Sequence, residues 1–323
     1  MKTISRVKLS YVSKGVIKAV ILLSLLFAFG CKKSLNNPSN PNTSNIPNNS
    51  NNSNNSNNPN RPNGSTPIPV DIIIVIDNSS GMKPLIQGMQ GNFNSILASR
   101  LEADSIDYRI ILISKFGSAN DGSVCIGTPL SKTNCFAQSP ILVNSDKFFH
   151  YSEKLSSTNS LCKILETLNV ADEYNLAPNG WIDWLRTNST KVFLEFSNEG
   201  VNCSSGERFN DSSTAAGGKV VADAFNLALT RLSPSHFGTS TNPNYRFYSF
   251  IANPDKDANN PEMPYSTSDP ITLIKCNRAV NPGTGYQGLS ILTNGLRFSL
   301  CQPDDYDVIF DAMAKEVINV ATK

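Results

Sequence analysis

The chain contains four runs of apolar residues that we predict to be strands. They lie at 70–76, 108–114, 191–197 and 245–251. The first run, VDIIIVI, is almost entirely β-branched, which is typical of a parallel strand covered on both faces. Between and after these runs, apolar residues recur at three- and four-residue intervals, as they do on the buried face of a helix.

The helical spacing occurs in three segments. The last of them follows Pro303, and Asp304 or Asp305 is in position to cap its first turn. Alternating strands and helices indicate an α/β fold with a doubly wound, mostly parallel central sheet flanked by helices. The apolar positions with helical spacing are Met82, Leu85, Ile86, Met89, Phe93, Ile96 and Leu97, then Val221, Phe225, Leu229 and Leu232, and finally Ile309, Met313, Val317 and Val320.

Two stretches interrupt this alternation within a domain that we place at 70–323. Residues 116–150 contain Gly, Ser, Asn and a pair of cysteines, and residues 253–290 are rich in Pro, Asn and Gly. Such residues favour turns and loops. We therefore predict that both stretches are loop-like insertions into the domain.

The first 30 residues are typical of an export signal. They carry five basic residues and no acid, and an apolar run at 19–29 precedes Gly30 and Cys31. A cysteine after Ala-Phe-Gly resembles a bacterial lipoprotein cleavage site, at which Cys31 becomes the lipid-modified first residue. An ordinary signal peptide with an incidental cysteine and an uncleaved anchor are the alternatives. Lys32, in place of an aspartate, favours the outer membrane of a bacterial envelope.

Residues 31–69 are predicted to be a disordered tether. From residue 34 onward the stretch is almost only Asn, Pro, Ser and Thr, with 15 Asn between Asn36 and Asn63. It cannot bury enough apolar surface to offset the loss of chain entropy. A flexible chain of this length reaches ~30–36 Å. That distance would hold the following domain clear of a bilayer.

The basic character of the chain comes from its leader. Removing residues 1–30 takes away five of the 28 basic residues and none of the 26 acids, so the remainder carries 23 − 26 = −3. Nucleic-acid binding needs a clustered basic face. We therefore expect no nucleic-acid partner.

Six cysteines follow Cys31, all within the predicted domain. An even number in an exported chain indicates disulfides, and six cysteines permit 15 connectivities. Closeness in sequence and to strand ends favours Cys125–Cys135 and Cys276–Cys301, which leaves Cys162–Cys203. A zinc site is the alternative, but the chain has no CxxC pair and only two histidines.

Polar side chains follow directly after the first predicted strand. Asp77, Ser79 and Ser80 stand at its carboxyl end, which is where open α/β sheets bind their ligands. A carboxylate with neighbouring hydroxyls supplies the hard oxygen ligands that Mg²⁺ accepts. The pattern therefore indicates a candidate binding site at this edge of the sheet.

This motif resembles the Asp-x-Ser-x-Ser that opens the metal-ion-dependent adhesion site of von Willebrand factor A-type (vWA) domains, with Gly81 in place of the second serine. The resemblance covers most of the predicted domain and includes 155–161, 192–200 and 283–301. The last stretch is similar to a Tyr…Leu…Thr-Gly-Gly pattern of bacterial exported proteins, with Asn294 for the first Gly. Its matching residues are Tyr286, Leu289, Thr293 and Gly295.

The resemblance implies a site for Mg²⁺ or Mn²⁺. The family has an aspartate where this chain has Asn198, so the site lacks one negative charge and is weakened. The alternative is a site without metal, in which the first motif serves only as a turn and a helix cap. The implied ligands are Asp77, Ser79, Ser157 and Asn198, and further candidates are Ser80, Thr158 and Glu199.

The same resemblance implies a non-enzymatic binding or adhesion domain, held to the membrane by the lipid on Cys31. Its partner would be a protein or an extracellular-matrix ligand that supplies an acid to the metal. A metal-free scaffold of an envelope complex and an uncharacterised hydrolase are the alternatives. Hydrolysis by a triad needs a positioned histidine. His150 and His236 lie in segments that indicate packing or surface roles, and the chain has no Gly-x-Ser-x-Gly.

Overall fold

A computed structural model describes residues 68–322 of the chain. The predicted leader, Cys31 and almost all of the predicted tether lie outside these described residues. Within them, no helix combines the length and the apolar content needed to cross a membrane.

The strands that the sequence predicts are all present, together with shorter ones. The predicted runs become β1, β2, β4 and β9. The strands are β1 (Val70–Ile76), β2 (Tyr108–Ser114), β3 (Phe148–Ser152), β4 (Thr190–Ser197), β5 (Asn202–Ser205), β6 (Glu207–Asn210), β7 (Gly238–Thr239), β8 (Asn242–Pro243), β9 (Tyr245–Ile251) and β10 (Arg297–Ser299).

The helices lie between these strands and after the last of them. A π-helical turn at Phe93–Ala98 joins the first two, and 3-10 turns occur at Ala119–Asp121, Trp181–Trp184 and Pro303–Asp305. The helices are α1 (Lys83–Asn92), α2 (Ser99–Ala103), α3 (Ser160–Thr167), α4 (Ala215–Leu232), α5 (Pro234–Phe237), α6 (Thr284–Leu292) and α7 (Tyr306–Ala321).

Six strands form one sheet in the order β10-β9-β4-β1-β2-β3, and every neighbouring pair is parallel. The chain first builds outward from β1 through β2 to β3, and it then returns to β4 on the other side of β1. The strand order therefore reverses between β1 and β4, and ligands of doubly wound folds bind at the carboxyl ends of such a pair. This arrangement confirms the predicted fold class.

The two faces of the sheet explain the apolar run in β1. Ile72 and Ile74 belong to a core shared with α1, α2 and α7. Ile73 and Val75 belong to a second core shared with α3, α4 and α6. Because both faces are covered, the strand has no need of polar residues on alternate positions.

Regular structure extends into both predicted insertions. Strand β3 pairs with β2 and begins at Phe148, so the insertion predicted at 116–150 ends inside the sheet. Helix α6 begins at Thr284, within the stretch predicted as 253–290. The closing helix α7 starts after Asp305 as predicted, but the side chain of Asp305 makes no capping hydrogen bond.

Three disulfides are present, and they are the three pairs that the sequence favoured. Cys125–Cys135 closes a loop within the insertion after β2. Cys162–Cys203 joins α3 to β5, and Cys276–Cys301 joins the segment after β9 to the segment after β10. Each disulfide therefore ties together segments that lie outside the six-stranded sheet.

Candidate functional site

Asp77 lies at the carboxyl end of β1, beside the end of β4, and its side chain is completely buried. Its Oδ1 accepts hydrogen bonds from the backbone N–H groups of Ser79 (2.7 Å) and Ser157 (3.2 Å). Its Oδ2 accepts from the hydroxyls of Ser79 (3.0 Å) and Ser197 (3.3 Å). Three separate chain segments thus meet at one carboxylate.

Burial of the Asp77 carboxyl raises its pKa from the ordinary 3.8 to about 6. The hydrogen bonds from Ser79 and Ser197 oppose this increase in pKa, and the negative charge of Glu199 adds to it. Within residues 68–322, no cationic side chain forms an ion pair with Asp77. Near neutral pH the site therefore holds a negative charge that hydrogen bonds stabilise only in part.

Asn198 fills the space that a side chain at position 81 would need. Asn198 is only 2% exposed, and its Nδ2 donates to the backbone carbonyl of Arg278 at 2.8 Å. A Cβ atom on Gly81 would lie 2.5 Å from that Nδ2. The glycine that replaces the expected serine therefore makes room for the asparagine that replaces the expected aspartate.

The carbonyl oxygen of the Asn198 side chain is buried and has no hydrogen-bond partner among the described residues. An unpaired buried oxygen of this kind costs about 1–3 kcal/mol. It is therefore an acceptor that a cation or a hydrogen-bond donor would stabilise.

The remaining predicted ligands divide into two groups. Ser80 and Glu199 line an open polar pocket of roughly 350 Å³ above the first motif, together with Ser79 and Ser157. Thr158 instead donates its hydroxyl to the backbone carbonyl of Asn202 at 2.9 Å. Ser157 contacts Asp77 through its backbone N–H and adopts a left-handed conformation, with φ of 46°.

Asn78 fixes the shape of this pocket, and sequence analysis did not identify it. Its Nδ2 donates to the Ser114 hydroxyl and to the Gly122 carbonyl, and its Oδ1 accepts from the N–H groups of Lys115 and Leu155. The side chain thus joins the end of β1 to the segments after β2 and β3. Its position next to Asp77 was the only sequence signal for this role.

A second buried carboxyl, that of Glu195, lies on the same face of β4 as Ser197. Its Oε1 accepts from the Ser160 hydroxyl at 2.7 Å, and that hydroxyl lies 2.7 Å from the Tyr286 hydroxyl. Burial raises the pKa of Glu195 well above its ordinary 4.5; the hydrogen bond from Ser160 opposes this increase, and the negative charge of Asp77 adds to it. The only sequence signal for a role of Glu195 was its position as an acid inside an otherwise apolar strand.

The donor set suits a hard cation. It comprises one carboxylate, the hydroxyls of Ser79 and Ser197, and the unpaired amide oxygen of Asn198. Mg²⁺ accepts one or two protein carboxylates and keeps several waters. Between residues 68 and 322 there is no group of three or more His, Cys, Asp or Glu side chains that could hold a metal ion.

Neither histidine lines the pocket. His150 is fully buried, with Nε2 2.9 Å from the Ser114 carbonyl, and burial lowers its pKa to about 4. Nδ1 of His236 lies 2.7 Å from the Ser233 hydroxyl three residues earlier, which is a contact within one turn. In the described part of the chain, the histidines have the packing roles that the sequence predicted.

Comparisons of this chain with protein-family models, with curated proteins and with solved structures found no match. The vWA resemblance therefore stays a prediction that depends on the residues and geometry described above.

Proposed function

We propose that residues 70–323 form a non-enzymatic binding domain that captures a protein or matrix ligand at the carboxyl edge of its sheet. The observation that carries the proposal is the position of Asp77. A fully buried carboxylate lies where the strand order reverses, beneath an open polar pocket. Doubly wound folds bind ligands at this position, and a charge buried there is costly unless it is paired and hydrogen-bonded.

We propose further that Mg²⁺ or Mn²⁺ takes part in this binding. The residues that would hold the ion are Asp77, Ser79, Ser157 and Asn198, as the resemblance implies, together with Ser197, whose hydroxyl also contacts Asp77. When bound, the ion would offer a coordination position to a carboxylate of the partner. The single protein carboxylate makes this a weak site, and the raised pKa of Asp77 is consistent with a negative charge that lacks a cation.

We propose that this domain is tethered to a bacterial envelope, at the outer membrane. The proposed lipid on Cys31 and the tether at 31–69 would hold the domain clear of the bilayer. A ligand on a neighbouring protein or in the extracellular matrix would then be within reach of the pocket.

A metal-free scaffold in an envelope complex is the second candidate function. The observation in its favour is that all four hydrogen-bonding positions of the Asp77 carboxylate are filled by protein donors. Such a carboxylate can serve as the fixed centre of a turn. In that case the three disulfide-bearing segments would form the contact surface.

Calorimetric titration of the oxidised chain with Mg²⁺ and with Mn²⁺ separates the two functions. We expect saturable binding in the micromolar-to-millimolar range that is lost in Asp77→Asn, which keeps the size of the side chain and removes its charge. Asp223→Asn, on the exposed side of α4, is the matched control and should bind as the parent does. Asn198→Asp restores a carboxylate and should tighten binding by on the order of tenfold.

A chain that shows neither heat of binding nor a metal-dependent rise in melting temperature would overturn the metal site. The scaffold function would then be the better one. Equal binding by the parent and Asp77→Asn would place any metal elsewhere on the molecule.

A further inference from the structure

A second cavity, of roughly 650 Å³, lies between α1 and the insertion after β2. None of its lining residues belongs to the pocket above Asp77. One wall is the exposed side of α1, and the other is the loop closed by Cys125–Cys135. Cavities of 300–1,000 Å³ are of the size that binds small molecules.

The lining of this cavity is rich in side-chain amides and contains no acid. Lys132 is the one cationic residue among the described residues that line it. An amide offers both an acceptor and two donors, so a set of them matches a ligand that carries many hydroxyls. The amide residues are Gln87, Gln90, Asn94, Asn120 and Asn134.

Two of the amides hold the walls in position. Asn94, in the π-helical turn, donates to the Gly127 carbonyl at 3.3 Å and accepts from the Leu130 N–H at 3.0 Å. Gln87 donates to Asn120 across the cavity rim at 3.0 Å. Interruptions of this type in a helix occur frequently at functional sites. The protein's own hydrogen bonds therefore hold the walls of the cavity in place without a ligand.

Gln90 lines the cavity, and its Oε1 has no hydrogen-bond partner among the described residues. An acceptor that is shielded from water and unpaired costs free energy. A rotation of this side chain that brings the oxygen to a ligand hydroxyl would therefore be favourable.

An aromatic ring stands at the edge of the cavity. Phe136 follows the disulfide at Cys135 and is 100% exposed, although exposure of a large apolar side chain is unfavourable. Its backbone N–H donates to the side chain of Asn134 at 3.1 Å, which fixes the start of the turn. The negative face of such a ring attracts the C–H groups on the apolar face of a pyranose.

We infer that this cavity binds a neutral sugar, with the ring of Phe136 stacked on one pyranose and the amides paired with its hydroxyls. The lack of lining acids and the single lysine disfavour a cation or a polyanion as the ligand. The inference is independent of the metal proposed at Asp77, because the two pockets share no residue.

Two substitutions test the site without disturbing the core. Phe136→Ala removes a side chain that is wholly exposed. Gly91→Leu fills the cavity, because a Cβ on Gly91 would meet no atom within 4 Å and Gly91 lines the cavity. Ile141→Ala is the matched control, since Ile141 is 76% exposed in the same insertion and does not line the cavity.

The probes are maltotriose and the N-acetylglucosamine trimer, titrated into the full oxidised chain and followed by calorimetry and saturation-transfer NMR. We expect at least one to bind with Kd on the order of 1 mM or tighter. Binding should weaken by about tenfold or more in Phe136→Ala and in Gly91→Leu, and should be unchanged in Ile141→Ala. Asp77→Asn should also leave sugar binding unchanged, which separates this site from the metal proposal.

Three results would overturn the inference. One is that neither trisaccharide shows saturable binding. Another is that binding persists unchanged in both Phe136→Ala and Gly91→Leu. The third is that inorganic phosphate binds in preference to both sugars and that Lys132→Gln abolishes this binding, which would make the cavity an anion site.

Discussion

At the scale of single residues, Asp77 combines good hydrogen bonding with poor charge compensation. Each of its oxygens accepts two hydrogen bonds, from a set of two backbone N–H groups and two hydroxyls. An asparagine can reproduce this pattern. Its oxygen would accept from the two N–H groups, and its Nδ2 would donate to the hydroxyls of Ser79 and Ser197.

We therefore expect Asp77→Asn to be more stable than the parent chain at pH 7.5 and above. Because the folded pKa is about 6 and the ordinary value is 3.8, the folded state binds more protons than the unfolded state between these pH values. The stability of the parent consequently falls as the pH rises from 3.8 to 6. The difference in pKa corresponds to roughly 3 kcal/mol, which is an upper bound on the gain.

Urea unfolding at a series of pH values measures this effect. The gain from Asp77→Asn should be absent below pH 4, should grow up to about pH 6 and should then remain constant. Asp223→Asn controls for the loss of one surface charge. A gain that does not vary with pH would show that Asp77 is already charged throughout this range in the folded chain.

Only part of the candidate site was predictable from sequence at this scale. Asp77 and Ser79 are two positions apart at a strand end, so local sequence reveals them. Other contacts form only because β4, α3 and α6 pack together, as those among Glu195, Ser160 and Tyr286 do. A local sequence pattern cannot predict contacts between residues so far apart in the chain. Asn78 was passed over because a turn-forming asparagine is common after a strand.

At the scale of elements, α4 and α6 approach one another through glycines. A Cβ on Gly288 would lie 2.6 Å from the backbone oxygen of Gly218, and a Cβ on Gly218 would lie 2.3 Å from the backbone oxygen of Thr284. Backbone atoms cannot move aside as a side-chain end can. The two helices must therefore separate if either glycine gains a side chain.

Gly288→Ala should destabilise the chain by about 1–3 kcal/mol, because the extra methyl group overpacks this contact. Gly91→Ala should instead stabilise it by about 0.5–1 kcal/mol, since Gly91 is also helical and its Cβ would meet open space. Urea unfolding of the two variants side by side makes the comparison. Similar changes in the free energy of unfolding for the two variants would mean that helix propensity, and not the packing of α4 on α6, determines the effect of Gly288→Ala.

The predicted and observed elements differ mainly at short segments. The four long apolar runs were predictable as strands, because strands that are buried on both faces consist almost entirely of apolar residues. Strand β3 was missed because its five residues, FFHYS, include a histidine and a serine. Helix α3 was missed because it spans only eight residues, too few to show a repeated helical spacing.

At the scale of the whole molecule, the disulfides restrain segments that the sheet does not hold. The pairs Cys162–Cys203 and Cys125–Cys135 span 41 and 10 residues. Closing the longer loop should contribute about 4 kcal/mol to stability through the unfolded chain, and closing the shorter one about 3 kcal/mol.

We expect the double replacement of Cys162 and Cys203 by Ala to lower the free energy of unfolding more than the same replacement of Cys125 and Cys135. Urea unfolding without reductant measures both losses. A larger loss for the shorter loop would indicate that native contacts in the insertion, and not chain entropy, determine the effect.

The contact between Gly81 and Asn198 constrains how this chain can change over evolutionary time. Gly81→Ser alone would place its Cβ against the Asn198 amide, which could yield only by giving up its hydrogen bond to the Arg278 carbonyl. Asn198→Asp alone would turn a carboxylate oxygen toward that same carbonyl. A side chain at position 81 is therefore tolerated only when residue 198 no longer holds its amide in this place. The order in which the two positions can change is set by this one contact.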